Sequence, residues 1–269
     1  MRLAFSSFIF LTLLVLCIFI WAYFLPDDVI RINLSDANIP PMTGGYLLGT
    51  DSSGRDMLNM LVLGARNSLV VAIAVTCITF VIGALLGLYI GFYGGRIDNV
   101  VMRFVDIMSM IPTLMVIIVA LVSIPERTTL HFIGVMSIFG WIGTTRVVRT
   151  RALQQRGMMY VQASRVSGTS SVAIMFREVL PNIMAVLSSS FILGLASNIG
   201  IETGLTIIGF GLAFDVPSLG GMIAVAMNPA FMVNRSWQWL PALVFVMVFT
   251  LSAVFVGQAF SRSYIVNRF

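Results

Sequence analysis

Few groups in this chain are equipped for chemistry. Its 269 residues hold 16 basic residues, all of them arginine, with 11 acids, one histidine and two cysteines. Without lysine there is no Walker loop, whose lysine must reach the phosphates of a nucleotide. Without a second histidine there is no HExxH pair, and Cys17 and Cys77 lie in apolar runs, where they read as small fillers rather than metal ligands or a disulfide. Three polar groups in apolar surroundings remain. Glu202 sits in a long apolar run, where an ionised group costs at least about 2.5 kcal/mol unless it meets a partner or water. Such an acid either borders a translocation path or holds its outer gate, or else it makes a buried hydrogen bond to a backbone group or hydroxyl. Asp106 has a similar pair of readings, a substrate contact or an ion-pair partner for Arg103 or Arg146. His131, at the start of another run, reads as an interfacial polar residue rather than a metal ligand or proton relay.

The elements that must position these groups follow from hydropathy. The hydrophobic set makes up 58% of the residues, charged residues only 10%, and the mean hydropathy is +0.99. A soluble domain carries about 25% charge, so the sequence predicts an all-α integral membrane protein in a lipid bilayer. Six apolar runs are long enough to be read as transmembrane helices, at residues 3–25, 68–93, 104–124, 130–145, 183–208 and 240–260. The first is longer than the apolar core of a signal peptide and no small-residue cleavage site closes it, so it reads as a retained anchor. The net charge of +5 does not point to nucleic acid, because little sequence remains to build a water-exposed basic face. Instead, 11 of the 16 arginines fall in the segments that are cytoplasmic if the N-terminus is inside. The positive-inside rule therefore predicts a cytoplasmic-membrane protein with both termini in the cytoplasm. This divides the chain into residues 1–67, an anchor plus an extracytoplasmic segment rich in turn formers, and residues 68–269, a five-helix core.

Within the runs, Gly83, Gly87, Gly91 and Gly95 recur every four residues and share a helix face that another helix can approach closely. Gly200 and Gly204 repeat this small-residue spacing beside Glu202. These are expected to be packing positions, within the subunit or against a partner. Pro112 is expected to kink the third run.

The cytoplasmic stretch 146–182 is amphipathic and carries the densest positive charge. It contains Tyr160-Val161-Gln162-Ala163-Ser164-Arg165, then Gly168, and later Leu180-Pro181. The spacing predicts a short helix ended by a left-handed glycine, a turn, and a second helix started near a proline. The pattern resembles the EAA loop of ABC importer membrane subunits, with Gln162 where the first acid stands and Ser164 where the second alanine stands. Further segments are similar to the dipeptide, oligopeptide and nickel branch of that family, especially the C-type subunits of Gram-positive oligopeptide permeases. They are Leu48-Gly-Thr-Asp-Ser-Ser-Gly-Arg-Asp56, Gly94-Gly-Arg-Ile-Asp98 with Met102, Arg103 and Asp106, Glu202-Thr-Gly-Leu-Thr-Ile-Ile-Gly-Phe-Gly211, and Trp237-Gln-Trp-Leu-Pro-Ala242.

The resemblance implies a six-helix permease with a cytoplasmic coupling helix at Tyr160–Gly168. It implies a homologous second permease, two ABC ATPase subunits holding ATP and Mg, and an extracytoplasmic peptide-binding protein. On this reading the chain is no enzyme and binds no cofactor or metal of its own. A permease for nickel or a metal–chelator complex shares most of these signatures. A secondary transporter, with Asp106 and Glu202 as ion-coupling groups, and a non-transporting assembly protein are the readings from other classes.

Overall fold

A computed structural model describes residues 2–26, 30–126, 128–213 and 215–266, with side chains from 8 to 261 within those segments. Arg127 and Arg268, both counted in the charge asymmetry, lie outside the described residues. So do Asp27, Asp28 and the last three positions.

The described chain is helical. Helix α1 spans Arg2–Phe24, α2 Met57–Tyr93, α3 Gly95–Met110, α4 Thr113–Val122 and α5 Thr129–Arg156. Two short helices follow, α6 at Met159–Val166 and α7 at Ser171–Ile174, and a π-helical stretch Met175–Val179 leads into α8, Leu180–Ile207. Beyond it come α9 at Leu219–Ala224, α10 at Pro229–Asn234 and α11 at Leu240–Val266.

Helix ends are set by local chemistry as well as by hydropathy. The Asp56 carboxylate accepts from the Leu58 N–H at 2.9 Å, so α2 starts well before its apolar run. It stops at Gly94, whose φ of +62° a side chain would resist. At the start of α5, the Thr128 hydroxyl accepts from the His131 N–H and the imidazole accepts from the Thr128 N–H, a reciprocal cap. This is the structural role of the single histidine.

Two expectations change. The run 104–124 is not one gently kinked span: α3 and α4 meet at a 71° bend. Pro112 has no N–H to continue the ladder, and it forces Ile111 into an extended conformation, φ −77° and ψ 128°. The run 130–145, by contrast, belongs to a helix that continues through three further arginines to Arg156. Among the described residues four helices are long and apolar enough to cross a membrane, or five when the bent pair is taken as one span, and the part of α1 with described side chains, Phe8–Phe24, is apolar as well. These spans give a count of four to five among the described residues, with α1 beside them, where six are expected.

The centre of the bundle is the α2–α5 pair, where the glycine spacing is used. A Cβ on Gly83 would lie 2.7 Å from the Trp141 carbonyl, one on Gly87 2.6 Å from the Thr145 carbonyl, and one on Gly91 2.5 Å from that of Arg149. Gly95 departs from the pattern. It opens α3 with φ +66° and has nothing near its Cβ position, because the chain has already turned at Gly94. Helices α8 and α11 pack beside the central pair through Leu69, Ala72, Ala196, Ile199, Phe249 and Ala253, which also receive Leu11 from α1.

Candidate functional site

The stretch Tyr160–Gly168 forms a compact knob at one end of the bundle. Val161 is fully buried among Leu88, Phe92, Val148, Ala152, Ile174, Met175 and Val179. Away from it α6 is open: Gln162 and Ala163 are exposed, and Met159 and Val166 are 88% and 91% exposed, while Arg165, also exposed, lies on the Val161 side. The Tyr160 hydroxyl donates to Gln155 Oε1 at 2.8 Å, and Gln162 Nε2 donates to the Gly157 carbonyl at 3.2 Å. The guanidinium of Arg165 lies 5.0 Å from the centre of the Phe92 ring, a cation–π distance.

The knob ends as its spacing predicts. Gly168 takes φ +80°, its N–H bonds the Arg165 carbonyl at 3.0 Å, and the Thr169 N–H reaches back to the Ser164 carbonyl at 3.0 Å. These are the two bonds of a Schellman cap, which satisfies the last carbonyls of α6. No atom lies within 4 Å of a Cβ built on Gly168, so backbone conformation, not crowding, calls for glycine there. Leu180 packs half-buried against the same cluster. The second helix does not start near its proline as expected: the Ser170 hydroxyl caps it, the helical backbone runs on from Ser171 through the π-helical stretch to Ile207, and Pro181 sits exposed within it.

Sequence reasoning missed what anchors this end to its neighbours. Arg149 grips Asp98 with two bonds, Nε to Oδ1 and Nη2 to Oδ2, each 2.5 Å. Arg156 Nη1 donates to the Tyr93 carbonyl at the end of α2, at 2.8 Å. The available signal was the spacing of Arg146, Arg149 and Arg156 by three and seven, which puts them on one helical face, once the helix is known to run that far.

The two acids flagged from sequence are not brought together. Asp106, on α3, accepts from Arg146 Nη2 at 2.8 Å, and the same guanidinium nitrogen donates to Ser109 Oγ at 2.8 Å. Arg146 was one of the two partners expected.

Glu202 is fully buried on α8, towards the opposite end from α6. Thr206 Oγ1 lies 3.2 Å from Oε1, Thr203 Oγ1 3.4 Å from Oε2, and the Ser68 hydroxyl of α2 is a further hydrogen-bond partner. Ser68 Oγ in turn accepts the Leu219 N–H at 3.2 Å. The carboxyl therefore ties α2, α8 and α9 through hydroxyl groups. Gly200 and Gly204, on the same helix, are exposed and have open space at their Cβ positions.

At that opposite end the segment before α2 folds over the turn before α11. Trp237 Nε1 and Gln238 Nε2 both donate to the Thr50 carbonyl at 3.1 Å, and Gln238 also reaches Asn38 Oδ1 at 3.3 Å. Next to this joint is a cleft of about 400 Å³, with Asp51 and Arg55 on its rim and Met57, Met60, Leu212 and Met222 in its lining. Among the described residues no group of three or more His, Cys, Asp or Glu is placed to hold a metal.

Comparison with known proteins agrees with the loop motif. The chain is 45% identical over 262 residues to the oligopeptide transport system permease protein OppC of Lactococcus lactis subsp. cremoris (strain SK11), covering 97% of this chain and 89% of that protein. It is 34% identical to the dipeptide transport system permease protein DppC of Bacillus subtilis (strain 168), over 80% of this chain and 66% of that one. To the oligopeptide transport system permease protein AmiD of Streptococcus pneumoniae (strain ATCC BAA-255 / R6) it is 32% identical, over 86% and 74%. Residues 83–266, which include the α2–α5 glycine face, α6 and Glu202, match a single family profile. On both grounds this multi-pass membrane chain belongs to the family of binding-protein-dependent transport system inner membrane components.

Proposed function

We propose that the chain is the transmembrane permease subunit of an ATP-driven ABC importer that moves oligopeptides across the cytoplasmic membrane. The observation that carries this reading is the seating of α6: one face is sunk in the core through Val161 and the other is offered outward through Met159, Gln162 and Val166. A helix seated this way passes a push on its outer face straight into the base of α2, α5 and α8. Closure of two partner ATPase subunits on ATP and Mg then becomes a rigid-body movement of the bundle, and the peptide passes by alternating access. The ATP site belongs to those partners, since a chain without lysine cannot build a Walker loop. The substrate class rests on the relatives, which are permeases for oligopeptides and dipeptides.

A homologous second permease completes the path, and an extracytoplasmic binding protein delivers the peptide. The α6 end faces the cytoplasm, as do both termini, and Tyr160 to Arg165, Gly168, Leu180 and Pro181 make the coupling joint.

The test is reconstitution of the chain with its two ATPases, second permease and binding protein in liposomes. A mixed peptide pool on the binding protein is expected to stimulate ATP hydrolysis and uptake together. Gly168→Asp should preserve assembly but separate hydrolysis from uptake, because its left-handed backbone resists a side chain. Stimulation by a nickel–chelator complex alone would reassign the substrate, and failure to associate with any ATPase would refute the reading.

A further inference from the structure

Helix α3 packs on α5 along its middle, but few of its side chains are fully buried. Among its described residues, the buried ones are Asp98 and Val105. Val105 meets Phe139 and Ile142 of α5 in a small apolar cluster against which Val101, Met102 and Met108 also pack, and the Phe104 ring stacks on Trp141 at 6.5 Å. What holds the two ends of α3 to α5 is charge: Asp98 in the first turn is gripped by Arg149, and Asp106 and Ser109 near the last turn are reached by Arg146.

These arginines lie on α5 one position after a second stripe, Thr145, Val148, Ala152 and Gln155, which is buried. Val148 and Ala152 of that stripe pack on Val161 of α6, and Gln155 accepts from Tyr160. The last turns of α5 thus grip α6 with one face and α3 with the adjacent face. Arg156 closes the set by bonding the end of α2, where Phe92 lies under Arg165. The two ion pairs differ. Side-chain exposure is 26% and 8% for Arg149 and Asp98, against 44% and 54% for Arg146 and Asp106, and the forked contact belongs to the buried pair.

We propose that Asp98 and Arg149 are positioning residues of the coupling step. Their fork makes α3 part of the body that moves with α6, and so carries a displacement of α6 to the bend at Ile111–Pro112 and to α4 beyond it. The carboxylate supplies two acceptors to a planar guanidinium, which fixes the orientation of α3 as well as its distance from α5. The inference rests on α6 being the coupling helix.

The experiment measures peptide uptake per ATP hydrolysed by the complete reconstituted transporter, normalised to assembled complex. Asp98→Asn is expected to lower that ratio about fivefold, the lower end of measured couplings. Arg149→Lys keeps the charge but cannot make the fork, and should lower the ratio about threefold even if Asp98→Asn fails to assemble. Asp106→Asn, at an exposed pair, should change it by less than about twofold. A purely structural role would lower the amount of assembled transporter and leave the ratio untouched. A wild-type ratio in assembled Arg149→Lys therefore overturns the proposal. Gly168→Asp in the same assay separates the two failures: if it too keeps the wild-type ratio, the coupling reading falls, and if it alone uncouples, the loss is confined to the fork.

Discussion

The two ends of the bundle are joined by different chemistry. At the α6 end, arginine side chains from α5 span the gaps to α2 and α3, and their partners are carboxylates and a helix-terminal carbonyl. At the opposite end the joints are neutral or locally satisfied. Trp237 and Gln238 bond the Thr50 carbonyl, Glu202 is met by hydroxyls, and Asp51 is consumed by Arg55 and the backbone of its own turn. A guanidinium fork fixes orientation over a long reach, which suits the coupling role proposed for this end. Short hydrogen bonds between loops leave room between them, which suits an end that contains a cleft. Both ends depend on the α2–α5 glycine face that connects them.

The largest effect is therefore expected in that connecting face. Gly91→Leu would drive a side chain into the Arg149 carbonyl, 2.5 Å from the Cβ position, and into Ala152 at 2.8 Å. Overpacking of this kind costs about 3 kcal/mol, so the variant should fail to accumulate in membranes. Gly200→Ala, on a face with nothing within 4 Å, should stay within about 0.5 kcal/mol in the purified subunit. Equal loss from the two substitutions, read by membrane yield and melting temperature, would show that the connecting face is not special.

Next in size is Glu202. Its removal as Glu202→Ala takes the shared acceptor from Ser68, Thr203 and Thr206 in a fully buried site. Leaving buried polar groups unmet costs about 2 kcal/mol, whereas Glu202→Gln keeps an acceptor and the shape and should cost less than about 1 kcal/mol. The melting temperature of the purified protein separates them. If Gln is as damaging as Ala, the charge itself matters and the neutral description of this end is wrong.

How much of this was legible beforehand follows the same division. The glycine face was readable because a four-residue repeat in an apolar helix has one physical use, and the left-handed end of α6 because Gly168 follows a short amphipathic run. The 71° bend was underread: a proline inside an apolar run signals a kink, but the size depends on Ile111 leaving the helix as well. The fork between Arg149 and Asp98 was not legible, since an acid and an arginine 51 positions apart carry no local periodicity. Gly95 misled for the opposite reason, because its spacing fits a helix that has already ended at Gly94.

At the cleft end, Gln238 offers a smaller test. It is buried and spends its amide on Thr50 and Asn38, so Gln238→Ala loses two neutral hydrogen bonds at one joint. About 1 kcal/mol is expected, seen as faster proteolysis within residues 31–56 while ATP coupling through α6 is unchanged. A coupling defect in this variant would mean that the two ends are not mechanically separable in the way their chemistry suggests.

The smallest effect distinguishes the ends by pH. In the segment before α2, the Tyr46 hydroxyl donates to Asp36 Oδ2 at 2.8 Å, and this hydrogen bond, with some desolvation and the charges of Asp36 and Asp56, holds the phenol above its ordinary 10.0. A raised pKa in the folded state means that folding favours the protonated phenol. The contribution is complete below pH 10 and is lost as pH rises through the raised value. Arginine stays charged in that range, so the pairs at the α6 end keep their bonds while this one lets go. The difference in melting temperature between the native protein and Tyr46→Phe should be small and constant at neutral pH, then shrink above pH 10. A difference that persists unchanged into strong alkali would place the stabilisation in ring packing instead of the hydrogen bond, and would remove an alkali-sensitive contact that sets the cleft end apart.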